Sequence, residues 1–146
     1  MSTSGAPLNS CVPYKGNNGA CPSACTAKSS AFTKYKCKSG SAAKISGVSN
    51  IMDQIQTYGP VATVYALYGD FYNYKSGIYA HVSGASKGNH VVKLVGWGNS
   101  NGVNYWIAAN SWGSSWGEQG YFRIKFGEVS IDDTVYACQA DTKVAF

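Results

Sequence analysis

Two residues stand out for the chemistry they offer. His90 heads the run Asn89-His90-Val91-Val92-Lys93-Leu94-Val95-Gly96-Trp97-Gly98, and Asn110 closes Tyr105-Trp106-Ile107-Ala108-Ala109-Asn110. Each borders an otherwise apolar run, so each is expected at a strand end where side chains reach a surface. An asparagine oxygen can accept from an imidazole N–H, which fixes the tautomer and aims the other ring nitrogen outward. Such a pair is a base with its orienter. The competing reading is a structural histidine bonded to a core carbonyl, the commoner fate of a lone His. Asn110 is followed by Ser111-Trp112-Gly113-Ser114-Ser115-Trp116-Gly117-Glu118-Gln119-Gly120. Glycines let such a loop turn sharply, and a Trp ring can cover a polar contact and keep water off it. A hydrogen bond shielded in this way gains strength from the lower local dielectric. The plainer alternative is that Trp112 and Trp116 only cap a sheet.

The cysteines offer a different chemistry. Five of them, Cys11, Cys21, Cys25, Cys37 and Cys138, sit in 146 residues, and that density points to disulfides and an oxidising compartment. An odd count leaves at least one thiol free or paired with another chain. The pair Cys21 and Cys25, with His81 and His90 far downstream, is too sparse for a zinc site, so no metal and no cofactor is expected. The net charge is +5, and Lys28, Lys34, Lys36, Lys38 and Lys44 cluster in one stretch. Lysines of this kind blunt exposed sheet edges. Arg123 is the single arginine, the residue that phosphate and base recognition favours, so nucleic acid is not an expected partner.

The elements that must position His90 and Asn110 follow from periodicity. Ile51, Met52 and Ile55 lie at helical spacing behind Ser49-Asn50, and Gly59-Pro60 must end that helix near Tyr58. From Val61 onward the pattern is β: 61–68, 90–97, 105–110 and 120–126 carry β-branched and aromatic residues between turns. Asn99-Ser100-Asn101-Gly102 contains the Asn-Gly hairpin signal. Val91, Val92, Leu94 and Val95 are nearly continuous apolar, which predicts a strand buried on both faces. The expected class is α+β with β dominant: an antiparallel, partly closed sheet or barrel with a short surface helix. Apolar residues make up 45% and charged residues 13%, which excludes a disordered chain. No apolar run reaches the roughly 18 residues of a membrane helix, so no membrane partner is expected. Residues 1–10 are small and polar without a signal-peptide layout and are set apart as a flexible tail, with one domain over 11–146.

The stretch from Gly88 to Ile124 resembles the C-terminal half of a papain-family cysteine peptidase. That family carries its base in a strand ending Gly-Trp-Gly and its orienter in Asn-Ser-Trp-Gly-x-x-Trp-Gly. Asp70-Phe-Tyr-Asn-Tyr-Lys-Ser-Gly-Ile-Tyr-Ala-His-Val-Ser-Gly84, Cys11-Val-Pro-Tyr14 and Ile51-Met-Asp-Gln-Ile55 are similar to the cathepsin B branch. The resemblance implies the β-rich, right-hand lobe of a two-lobed enzyme, with His90 as general base and Asn110 as its orienter. It further implies Trp112 as the ring over their bond, Trp116 as its aromatic companion and Asn89 as the residue beside the base. Thr134 falls where the branch places a floor residue of its main specificity pocket; a small neutral floor disfavours an arginine side chain. The resemblance also implies a Cys11–Cys25 disulfide and Cys21 free or intermolecular; it leaves the pairing of Cys37 and Cys138 open, and these two are the remaining candidates for a bond with each other.

The family's nucleophile lies in a Cys-Gly-Ser/Ala-Cys-Trp/Tyr run about 130–150 residues before the His and Asn. No such run occurs in the 89 residues before His90, so the nucleophile is expected on a helical lobe outside this chain. The stretch between Cys11 and Cys21 is short and lacks the paired histidines of the branch's occluding loop, so removal of dipeptides is not implied. The expectation is part of an endopeptidase, secreted or lysosomal/vacuolar, inactive alone and acting on peptide or protein substrate. The expected partner is the helical lobe, or a second copy through the cleft face. A free-standing, inactive lobe that binds protein or carbohydrate is the alternative.

Overall fold

The computed structural model describes residues 5–13, 20, 22–26 and 32–141. Contacts divide the chain into two compact units: Met1–Ala42 with Cys138–Phe146, and Ala43–Ala137.

In the first unit, β1 (Ala6–Pro7) pairs antiparallel with β2 (Lys34–Tyr35), so the stretch read as a tail carries a strand. Two disulfides hold the unit, Cys11–Cys25 and Cys37–Cys138. Around the second, Lys38 N–H donates to the Gln139 carbonyl at 2.8 Å and Asp141 N–H to the Lys36 carbonyl at 2.9 Å. Cys21 lies outside the described residues, as do Lys28 and Tyr14.

The second unit contains β3 (Ala43–Ile45), α1 (Val48–Tyr58), β4 (Val61–Tyr68), β5 (Ile78–Tyr79), β6 (Ser86–Ser100), β7 (Val103–Ala109), β8 (Tyr121–Lys125) and β9 (Val135–Ala137). The strands form one sheet in the order β3-β9-β4-β6-β7-β8-β5. The β-dominant class with a single described α-helix is as the pattern predicts. Two details differ. The sheet is mixed, because β5 runs parallel to β8, and it is open, with β3 and β5 as its edges. Strands of two or three residues carry no alternation long enough to read.

The helix forms because Ile51 and Ile55 meet on one buried face. It begins at Val48, behind Gly47, which makes no side-chain cap; Ser49 and Asn50 lie within the first turn instead. Its end is as expected, with Gly59 at φ 99° donating to the Ile55 carbonyl at 3.0 Å. In the β6–β7 hairpin, Ser100 faces Val103 across a two-residue turn. Asn101 and Gly102 both take positive φ, 50° and 80°, which matches the right-handed strand twist.

The core lies on one face of the sheet. Val61, Thr63, Tyr65 and Leu67 point into it from β4 in strict alternation, beside Val92 and Leu94 of β6, Trp106 and Ala108 of β7 and Phe122 and Ile124 of β8. Burying one large side chain of this kind stabilises by about 1.5–3 kcal/mol. The expected double-sided burial of β6 is not found: Val91 is 56% exposed and Lys93 is exposed, so β6 alternates like its neighbours. A Lys between Val92 and Leu94 was the sign of that alternation.

Candidate active site

Antiparallel pairing of β6 with β7 brings His90 and Asn110 to the same side of the sheet. His90 sits in β6 opposite Tyr65 of β4, its ring on the core face. Asn110 follows the last residue of β7, and its backbone N–H donates to the Gly120 carbonyl at 2.9 Å. Nε2 of His90 lies 2.9 Å from Oδ1 of Asn110. The same Oδ1 accepts the Ser111 N–H at 2.8 Å. An atom that accepts from a backbone N–H is an oxygen, so it can only accept from the imidazole as well. Nε2 therefore carries the proton, and Nδ1 is left with its lone pair. The ring is thereby held in one tautomer, with Nδ1 able to accept a proton.

Trp112 stacks on the His90 ring at 4.9 Å between centroids and 29° between planes. Trp116 meets Trp112 edge-on at 5.1 Å and donates its indole N–H to the Tyr72 carbonyl at 3.3 Å. The loop that carries both, from Ser111 to Gly120, turns at glycines. Gly117 has φ 57°, and a Cβ there would lie 2.6 Å from the Tyr121 carbonyl oxygen, so no other residue fits. Glu118 fixes the loop's far end, accepting the Arg123 guanidinium at 2.6 Å and the Gly77 N–H at 2.9 Å. The Arg123 hydrogen bond, outweighing burial, holds the Glu118 carboxyl below its usual range, and its ion pair pushes Arg123 further up.

The site also carries costs. Asn110 Nδ2 and the Tyr65 hydroxyl are buried without a hydrogen-bond partner among the described residues. Each such group costs about 1–3 kcal/mol, and native proteins retain few of them outside functional sites. Burial drives the Tyr65 hydroxyl pKa far up, so it stays protonated beside the imidazole.

Of the other residues singled out, Asn89 is exposed on the opposite face of β6, facing Ala66 of β4. Thr134 precedes β9, and its carbonyl accepts the Val64 N–H at 3.1 Å, one register step from the Tyr65–His90 pair. Cys11 and Cys25 are bonded to each other, and so are Cys37 and Cys138; none of the four offers a thiol. Among the described residues no cluster of three or more His, Cys, Asp or Glu is placed to hold a metal ion. Sequence reasoning missed Tyr65, Phe71 and Tyr72, which pack around His90 and Trp112. The alternation Val61-Ala62-Thr63-Val64-Tyr65 held the signal for the first; the others lie in a five-residue 3-10 helix, Gly69–Asn73, too short to show a period.

A β-rich unit with a histidine held by an asparagine beneath a tryptophan matches one class of hydrolase. The chain belongs to the papain family of cysteine proteases, whose family model matches residues 1–144. Within it, the chain is similar to cathepsin B-like proteins. It is 42% identical over 144 residues to "Cathepsin B-like cysteine proteinase 3" of Caenorhabditis elegans, covering 87% of this chain and 39% of that protein. To "Cathepsin B-like CP2" of Giardia intestinalis it is 37% identical over 146 residues, covering 94% and 48%. Among solved structures, proCathepsin B S9 from Trypanosoma congolense superposes with a TM-score of 0.82 at 32% identity, covering 97% of this chain and 50% of that one. The chain spans half or less of the length of these relatives.

Proposed function

We propose that this chain supplies the general base and its orienter to a cathepsin B-like cysteine endopeptidase whose nucleophilic cysteine lies on a helical lobe outside the 146 residues. The single observation that carries the reading is the His90–Asn110 bond beneath Trp112, with Nδ1 left as the acceptor. In the assembled enzyme, Nδ1 of His90 takes the proton of the cysteine thiol, and the thiolate attacks the peptide carbonyl. The imidazolium then protonates the leaving amine, and neutral again, it takes a proton from the water that releases the acyl group. Asn110 keeps the ring in one orientation through these steps, and Trp112 excludes water from the bond that does so. Thr134 contributes a small, neutral pocket floor, and Asn89 flanks the base.

The partner in this reading is the helical lobe, seated on the side of the sheet where His90 and Trp112 lie. Two disulfides fit an oxidising, secreted or lysosomal/vacuolar setting, and no described helix is long and apolar enough to cross a membrane. The test is covalent labelling by an epoxide or vinyl-sulfone cysteine-peptidase probe. The chain alone is expected to stay unlabelled and without turnover of a fluorogenic peptide. Adding a papain-family helical lobe should produce labelling of that lobe, lost with His90→Ala. Turnover by the chain alone, abolished by His90→Ala, would overturn the split. Failure of every added lobe to react would favour the inactive binding module.

A further inference from the structure

A second polar cluster lies outside the His90–Asn110 pair, built on Asp70. Its carboxylate collects four donors from one short stretch: the Tyr79 hydroxyl at 2.8 Å, His81 Nδ1 at 3.1 Å, the Val82 N–H at 2.9 Å and the Ser83 N–H at 3.3 Å. Burial opposes its ionisation, but the bonds from Val82, Tyr79, His81 and Ser83 outweigh it and hold the carboxyl well below the usual range. His81 is itself held, stacked on Tyr68 at 3.8 Å and 22°, with its backbone N–H donating to Glu128 at 3.1 Å. The loop between Gly69 and Ala85 is closed at its base by the Gly69 N–H bond to the Ala85 carbonyl at 3.1 Å. Asp70 is thus a clamp that joins the two ends of this loop.

What the clamp fixes is the support of Trp112. The two residues after Asp70 are Phe71, fully buried, and Tyr72, which is 48% exposed. Phe71 meets the Trp112 ring edge-on at 5.6 Å, and Tyr72 lies flat against it at 5.1 Å and 8°. Trp112 packs against the core with its ring in contact with Phe71, Tyr72, His90 and Trp116. Ring contacts are weak and loosely directional, about 0.5–1.5 kcal/mol each. The place of Trp112 over the imidazole therefore depends on how rigidly Phe71 and Tyr72 are held. We propose that Asp70 is a positioning residue for His90: it locks the loop so that Tyr72 and Phe71 keep Trp112 closed over the His90–Asn110 bond. The inference rests on the reading of that bond as the base and its orienter.

The test uses the full chain with 15N-labelled histidine, and the readout is the His90 Nε2–H resonance, which survives only where solvent cannot reach it. The unaltered chain should give a sharp, slowly exchanging signal. Asp70→Asn, which turns one acceptor oxygen into a donor, should lose it to exchange while the chain still melts cooperatively. Tyr72→Ala, outside the clamp and half exposed, should do the same. A folded Asp70→Asn with the His90 signal unchanged overturns the proposal. Should Asp70→Asn fail to fold, the milder His81→Ala and Tyr72→Ala decide: loss of the signal in both supports the proposal, and its persistence in either overturns it. Asn110→Ala separates the two readings. If it leaves the signal unchanged, the base pair itself fails; if only Asn110→Ala removes the signal, the pair stands and the role of Asp70 falls.

Discussion

The two units of this chain are held together by different physics. Residues 43–137 bury seventeen hydrophobic side chains of their own, Trp106, Phe71 and Phe122 among them. In the other unit Cys11 is the one buried hydrophobic residue among those described, and two disulfides take the place of a core. The difference is written in composition: Ser, Gly, Lys and Cys before residue 43, and β-branched and aromatic residues after it. Cross-links act chiefly by restricting the unfolded chain, whereas burial acts on the folded one. Chemistry that needs a side chain placed to a fraction of an ångström belongs with the second kind, and His90 and Asn110 lie there.

The sharpest way to break this comparison is to remove the long cross-link. Cys37 and Cys138 are 101 residues apart and enclose the whole of the cored unit. Replacing both by Ser should lower stability in non-reducing denaturant melts by about 4.7 kcal/mol on the chain-entropy account. A loss under about 1 kcal/mol would mean that the core alone carries the fold. Phe122→Ala comes next, at about 3–5 kcal/mol, since the ring is fully buried among Phe71, Tyr65 and Trp116. Its melt should broaden the His90 signals, and a loss near zero would contradict the packing described. Removing Cys11–Cys25, a separation of 14, should cost about 3 kcal/mol. Amide exchange should then quicken in residues 5–13 and 22–26 while the His90–Asn110 region keeps its protection. Equal loss in both units would sink the division.

The smallest effect is the response to acid. Asp70 and Glu118 both have folded pKa values below their unfolded ones, Asp70 through its four donors against burial and Glu118 through Arg123. Their contribution is complete above the unfolded values of about 3.9 and 4.3 and fades as pH falls through the lower folded ones. Stability measured downward from about pH 5 should therefore fall, and Asp70→Asn should flatten that slope. An unchanged slope would deny Asp70 its part.

Much of this was legible in the residues, and what was not has a common cause. Strand β4 runs from Val61 to Tyr68 as its alternation predicts, and the Asn101-Gly102 turn fixes the β6–β7 register. That register is enough to place the ends of two apolar runs together, which is why His90 and Asn110 stood out. The two-residue strands β1, β2 and β5 were not legible, because pairing partners far along the chain create them. Apolar composition alone hides the exposure of Val91, whereas Lys93, two residues on and on the same face, marks that face as the one meeting solvent. The Asp70 cluster escaped for a different reason: its members reach one carboxylate only after residues 69–85 close into a loop. Local pattern predicts strands; it does not foresee what a turn folds back onto.

The central claim is the state of one ring, and 15N chemical shifts of the His90 imidazole at mildly alkaline pH test it most directly. The account predicts a protonated Nε2 bonded to Asn110 and a bare, pyridine-type Nδ1. A ring protonated on Nδ1, or one exchanging between both tautomers as in free imidazole, would contradict it.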